Sequence, residues 1–169
     1  MELTIRDARP DDAEDIVGVL NPIIEARIYT AFDTPFSVES ERDFISNFPS
    51  KGVFHLAIRR SDQKLLGFQL LEPFGPHTHA FDHVGKLATF VDLECRRQGV
   101  GNLLFAATFT VATRKGYEKI FTLVRADNDG ALQAYLSQGF RVIGTAERHA
   151  KVDQHYIDEI MIEKFLSSP

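Results

Sequence analysis

The chain has one cysteine among its 169 residues. It therefore forms no internal disulfide and no all-thiolate metal site, which removes the disulfide scaffolds of secreted domains and the zinc ribbon. It also lacks any apolar run near the roughly 20 residues that a membrane helix requires, and Met1-Glu2-Leu3-Thr4-Ile5-Arg6 is not the basic, then apolar, start of a secretory signal. A cytoplasmic protein with no membrane partner is the expectation. Excess positive charge is missing too. The formal net charge is -5, which argues against nucleic acid as a partner, because binding a phosphate backbone needs a positive surface. No repeat, low-complexity tract or linker interrupts the sequence. With 44% hydrophobic and 25% charged residues the composition is that of a globular chain, and residues 1–169 are expected to form one domain.

What is present is a succession of short patterned segments. Residues 3–6 alternate apolar and polar as a strand does, and Pro10-Asp11-Asp12-Ala13-Glu14 reads as a helix start with Asp11 and Glu14 in capping-box positions. Ala13, Ile16, Val17 and Leu20 hold the spacing of one apolar helix face, which Asn21-Pro22 is expected to interrupt or kink. Residues 27–36 show no period. A short helix is predicted from about Ser40 to Phe48, where Phe44, Ile45 and Phe48 share a face ahead of Pro49. Two apolar runs over 53–60 and 64–72, joined by polar Ser61-Asp62-Gln63, predict an antiparallel pair. Beyond a break at 73–79, Val84 to Leu93 reads as a strand, Asn102 to Arg114 as a helix and Lys119 to Arg125 as a strand. A turn at Asp127-Asn128-Asp129-Gly130 then enters a short helix ending at Gln138-Gly139. Strands at 140–146 and 156–164 close the series, with a charged loop between them. The order β-α-α-β-β-β-α-β-α-β-β predicts an α/β fold of the mixed α+β kind, about seven strands with helices on both faces.

The segment Arg96-Arg97-Gln98-Gly99-Val100-Gly101 lies between a predicted strand and a predicted helix, and that placement has chemical content. The first turn of a helix offers free backbone N–H groups and the positive end of its dipole, and together they make an anion site. Glycine at 99 and 101 allows positive φ and lets the backbone approach a phosphate with no Cβ in the way, while the two arginines bring full charge. A di- or polyphosphate is implied. The ATP loop requires Lys-Ser or Lys-Thr after the last glycine, and this chain has neither. A dinucleotide loop requires a third glycine where Leu104 stands, and an acidic residue at the end of the next strand, where Arg125 precedes Asp127. A dinucleotide-dependent oxidoreductase is thus a distant alternative.

Arg96-x-x-Gly99-x-Gly101 resembles the Gln/Arg-x-x-Gly-x-Gly/Ala motif of the GNAT superfamily of acetyl-CoA-dependent N-acetyltransferases. Asn128, followed seven residues on by Tyr135 and then by Gly139-Phe140, is similar to that family's second signature. The two occur in the family's order, on the predicted strand-loop-helix units, and nearly the whole chain fits its element order. The phosphinothricin and small-amino-acid acetyltransferase branch is the most similar, through Asn21, Phe32-Asp33-Thr34-Pro35 and Tyr156-Ile157-Asp158-Glu159-Ile160-Met161.

The resemblance implies acetyl-CoA as co-substrate, no metal, and direct transfer of the acetyl group to the primary amine of a small molecule. It implies that backbone at Phe90 and Val91 pairs with the pantetheine amides, that the N–H groups from Arg97 through Gln98, Gly99, Val100 and Gly101 to Asn102, with Arg96 beside them, hold the pyrophosphate, and that Asn128 contacts the cofactor arm. Tyr135 is implied as general acid to the departing thiolate. The branch's basic glutamate falls at Lys86, and a protonated lysine cannot accept a proton. Glu72, His83 or His79 acting through water, an amine arriving neutral, or a non-catalytic acyl-CoA-binding module all remain open. His77, His79 and His83 form a weak metal pattern and read as solvated loop histidines. Cys95 reads as a semi-buried thiol with no catalytic part. The acceptor pocket is expected at residues 27–36 and 147–156, and a homodimer is the commonest outcome for an oligomer.

Overall fold

Seven strands form one sheet in the order β1-β2-β3-β4-β5-β7-β6 in a computed structural model that describes residues 1–166. Their ranges are β1 Leu3–Asp7, β2 Val53–Arg59, β3 Leu65–Pro73, β4 Val84–Val91, β5 Lys119–Arg125, β6 Arg141–Val152 and β7 His155–Phe165. Four α-helices accompany them: α1 Ala13–Glu25, α2 Val38–Ser46, α3 Val100–Arg114 and α4 Asp129–Ser137. All neighbouring strands pair antiparallel except β4 and β5.

Side-chain alternation along the strands builds a layer on each face. Phe54, Leu56, Ile58 and Phe68 pack with Ile16, Leu20, Ile23 and Ile45 of α1 and α2. The intervening positions, with Leu71 and Leu87, pack with Phe105, Ala112 and Tyr135 of α3 and α4. Every predicted element exists, but three local expectations fail. The helix entry is held by Asp12, whose carboxylate accepts from the Arg9 N–H at 2.7 Å and from Arg6 at 2.6 and 2.8 Å. Asp11 and Glu14 take no part, because Pro10–Asp12 turns as a separate 3₁₀ segment ahead of α1. Nor does Asn21-Pro22 interrupt α1, which continues to Glu25; the Asn21 amide instead donates to Phe36 O and accepts from Phe36 N, both at 2.9 Å, and so fastens the loop that follows α1. Finally, residues 147–152 are strand and not loop. β6 runs through them, with irregular register between Ala146 and Ala150, and only Asp153-Gln154, both in the left-handed region, make the turn into β7. The charges misled because β6 is an edge strand exposed along most of its length, where polar residues are expected.

The feature that makes a site is the incomplete pairing of β4 with β5. They run parallel and pair only over Val84–Lys86 against Lys119–Phe121. At Leu87 a side chain replaces the missing ladder bond, the Thr122 hydroxyl donating to Leu87 O at 2.6 Å. Beyond that point the strands diverge, and the end of β4 presents an open edge.

Candidate active site

The wedge between the diverging strands is a groove of about 450 Å³. One wall is the end of β4, with Thr89, Phe90 and Val91, and the other is α4, with Asn128 at its mouth and Tyr135 within. Its floor is the loop after β4 and the first turn of α3: Arg96, Arg97, Gly99, Val100, Gly101 and Asn102 all line it. Gln98 does not. Its amide turns away to donate to Glu94 O at 3.1 Å, so only its backbone belongs to the loop.

The loop is shaped by two left-handed residues, Arg97 with φ 60 and Gly99 with φ 83. Such alternation turns successive N–H groups toward one point and makes an anion nest ahead of the helix. A methyl group built on Gly99 or Gly101 would meet nothing within 4 Å. The space above both glycines is thus free for a phosphate, and no acidic side chain among the described residues lines the groove. A pyrophosphate fits this floor, and an amide-bearing arm fits the open edge of β4, where it can add by main-chain hydrogen bonds.

Arg96 stands with its guanidinium 3.8 Å from the centroid of the Tyr29 ring. Tyr29 belongs to the aperiodic segment after α1, and that segment is tied across the groove by residues of the β5–α4 turn. Asn128 donates to Tyr29 O at 3.1 Å while its oxygen caps α4 through Ala131 N at 3.1 Å. Arg125, nearly buried, donates to Arg27 O and Thr30 O at 2.8 and 3.0 Å and pairs in bidentate fashion with Asp127, which holds the Asp127 carboxyl below the usual range. The position where a dinucleotide protein would carry its acid is here a basic clamp on a loop.

Tyr135 is only 7% exposed. Its ring meets Phe105 and Phe140 edge-on at 5.3 and 5.1 Å. Gly139, left-handed at φ 85, stops α4 and turns the chain back so that Phe140 can make that contact. The Tyr135 hydroxyl donates to Thr89 Oγ1 at 3.0 Å. Burial pushes its pKa up to about 12, opposed by the bond to Thr89, so the phenol carries its proton throughout the neutral range.

The other predicted residues lie elsewhere. Lys86 and Glu72 face one another across β4 and β3, and alternation puts them on the sheet face opposite Tyr135. His83 is exposed just before β4, where its carbonyl accepts from Glu118 and Lys119. His79 is fully exposed beside Asp82 at 3.0 Å, and among the described residues no cluster of three or more metal-ligating side chains occurs. Cys95 is the exception: it borders the groove while buried, at 5% exposure, against Ala57, Leu66 and Leu104. Sequence reasoning passed over Tyr29, Thr89 and Gln69. The last is a lone amide within the apolar run Leu65-Leu66-Gly67-Phe68-Gln69-Leu70-Leu71, and that isolation was the available signal.

Residues 5–161 match the family model described as an acetyltransferase (GNAT) domain, and the chain belongs to that family. It is an enzyme of the acetyltransferase class. Among curated proteins it is 22% identical over 165 residues to Bacillus subtilis YwnH, provisionally named a phosphinothricin acetyltransferase, covering 98% of this chain and 100% of that one. It is 26% identical over 147 residues to the peptidyl-lysine N-acetyltransferase YjaB of Salmonella typhimurium, covering 87% and 89%. Among solved structures, a GNAT phosphinothricin acetyltransferase from Sinorhizobium meliloti in complex with acetyl-CoA superposes with a TM-score of 0.89 at 17% identity, covering 99% of this chain and 90% of that one. Among the described residues no helix is long and apolar enough to cross a membrane.

Proposed function

We propose that this enzyme moves an acetyl group from acetyl-CoA to the primary amine of a small molecule by direct attack within a ternary complex. The observation that carries the proposal is the juxtaposition, in one groove, of a glycine-based anion cradle, an open strand edge and a buried phenol. Residues Arg96 to Asn102 hold the pyrophosphate, Phe90 and Val91 pair through their backbone with the pantetheine arm, and Asn128 borders it. The structural neighbour solved with acetyl-CoA supports the choice of co-substrate, and the naming of YwnH supports a small acceptor over a protein one.

In the reaction the amine nitrogen attacks the thioester carbon, a backbone N–H near Phe90 or Val91 stabilises the oxyanion, and the carbon–sulfur bond breaks as Tyr135 gives its proton to the sulfur. The acceptor arrives as the neutral amine; attack makes its nitrogen cationic, and that nitrogen then releases one proton, received by Glu72 or His83 through water, to leave the neutral amide. Lys86, an exposed lysine where the branch carries its base, favours one rival reading, a non-catalytic acyl-CoA-binding module.

The test is thiol release from acetyl-CoA across amino acids, polyamines, a phosphinothricin-like acceptor and a lysine peptide, with Tyr135→Phe alongside. Turnover on one of the small amines, and a fall in kcat of about 10²-fold in the variant at little-changed KM for acetyl-CoA, is expected. Turnover on the peptide alone would move the acceptor class to proteins. No turnover on any amine, with acetyl-CoA still bound, would establish the binding module.

A further inference from the structure

Gln69 is fully buried in the middle of β3, directly opposite Thr89 of β4, and its surroundings do not explain it. Its Nε2 donates to Thr89 Oγ1 at 2.8 Å, while its Oε1 has no hydrogen-bond partner among the described residues. Reversing the amide leaves Nε2 unmatched instead. A buried amide that satisfies one atom and abandons the other is a cost, and an apolar side chain of the same shape would avoid it. The residue is better understood through what it does to Thr89.

Thr89 Oγ1 accepts from two donors, Gln69 Nε2 and the Tyr135 hydroxyl. A hydroxyl has two acceptor lone pairs and one hydrogen. In the resting protein both lone pairs are therefore used, and among the described residues the Thr89 hydrogen has no acceptor. Once Tyr135 has lost its proton the arrangement becomes complementary. The Thr89 O–H rotates to donate to the phenolate oxygen 3.0 Å away, and the Gln69 N–H continues to donate to Thr89, polarising its hydroxyl as a donor.

We propose that Thr89 and Gln69 are positioning residues built for the deprotonated form of Tyr135, a short hydrogen-bond relay that stabilises the phenolate made when the tyrosine protonates the departing thiolate. The inference rests on Tyr135 as general acid and deepens that assignment. It answers a difficulty the burial creates. A phenol raised to about 12 gives its proton uphill to a thiolate, since an ordinary thiol lies near ~8.5. A neutral donor swinging onto the phenolate reduces that gap without adding a charge to the groove. Protons balance: the amine nitrogen releases one, the sulfur gains one from Tyr135, and the phenolate recovers one from solvent, with Thr89 rotating but never changing protonation.

The experiment places 3,5-difluorotyrosine at position 135 and titrates it by fluorine NMR in the protein without substrates, so the readout does not depend on turnover. Thr89→Val is expected to raise its apparent pKa by about one unit, a tenfold fall in ionisation constant. Gln69→Leu should shift it the same way by about threefold, and Thr89→Ser, which keeps the hydroxyl, should leave it within about twofold. With the natural tyrosine, kcat of Thr89→Val should fall about tenfold at unchanged KM for acetyl-CoA. Gln69→Leu gives a second test should Thr89→Val fail to fold. An unmoved titration in Thr89→Val, or a lowered one in Gln69→Leu, overturns the relay. The underlying assignment fails separately: full turnover in Tyr135→Phe removes the acid, whereas loss there with an unmoved fluorotyrosine removes only the relay.

Discussion

Glu163 shows how one residue can tie an edge to the interior. Its carboxylate, nearly buried on β7, accepts from Lys119 of β5 and from Arg141 of β6, the latter at 2.6 and 2.9 Å, so one acid joins three strands. Both cations hold its pKa below the ordinary carboxylate value, the Lys119 bond foremost. A carboxylate whose folded pKa is depressed contributes stability that is fully present above the unfolded value and disappears as pH falls through the folded one. Glu163→Gln is therefore expected to melt about 3 °C lower than the parent at pH 7. The two curves should converge as the pH approaches and passes below the folded pKa. Thermal melts across an acid series check this, and a gap that persists at low pH would mean that the side chain acts through packing and not through charge.

At the scale of elements, the strand-loop-helix unit at Val84–Arg114 carries most of the residues proposed to bind acetyl-CoA, and Gly99 is the position that tests them best. With φ 83 and open space in front of it, Gly99→Ala adds left-handed strain of about 1 kcal/mol and places a methyl in the space proposed for a phosphate. The expected result is a rise of at least about tenfold in the acetyl-CoA dissociation constant, measured by calorimetry, with a melting temperature lowered by only about 2–4 °C. An affinity left intact would mean that the phosphates lie elsewhere.

This unit was the most legible part of the sequence, because the glycine spacing, the flanking arginines and the change of period from strand to helix all report local geometry. Tyr135 was singled out by the resemblance that its spacing from Asn128 and Gly139-Phe140 carries, and the structure places it in the groove. Contacts between segments far apart in sequence were not legible. Nothing local reveals that Asn21 clasps Phe36, that Arg125 grips the backbone of the loop after α1, or that Thr89 and Gln69 meet beneath Tyr135. The strand at 147–152 was hidden because an edge strand need not bury a face, and without burial it leaves no alternating pattern.

For the whole molecule, a net charge of -5 coexists with a groove for a strongly anionic ligand, because Arg96, Arg97 and the start of α3 are gathered at one place. The field is local, and its range in physiological salt is on the order of 8 Å. A ligand that binds only the folded form stabilises it by RT ln(1 + [L]/Kd), about 2.7 kcal/mol at a hundredfold excess over Kd. For a chain of this size that corresponds to a rise in melting temperature of about 5–10 °C. Acetyl-CoA should produce it, and dephospho forms or a nicotinamide dinucleotide should produce less. Stabilisation by the dinucleotide alone would contradict the assignment of the groove.

The strand order also sets a timetable. β7 follows β6 in sequence, yet it lies inside the sheet, hydrogen-bonded to β5 on one side and β6 on the other. A nascent polypeptide that has emerged only as far as β6 has an unpaired β5 edge and no partner strand for β6. The far wall of the groove rests on a strand that is still unfinished. Closing the sheet means inserting the newest segment between two older ones, a non-local step of the slow kind. The groove is thus completed only after β6 and β7 have both been made, although the loop that gives it its charge precedes them in the chain.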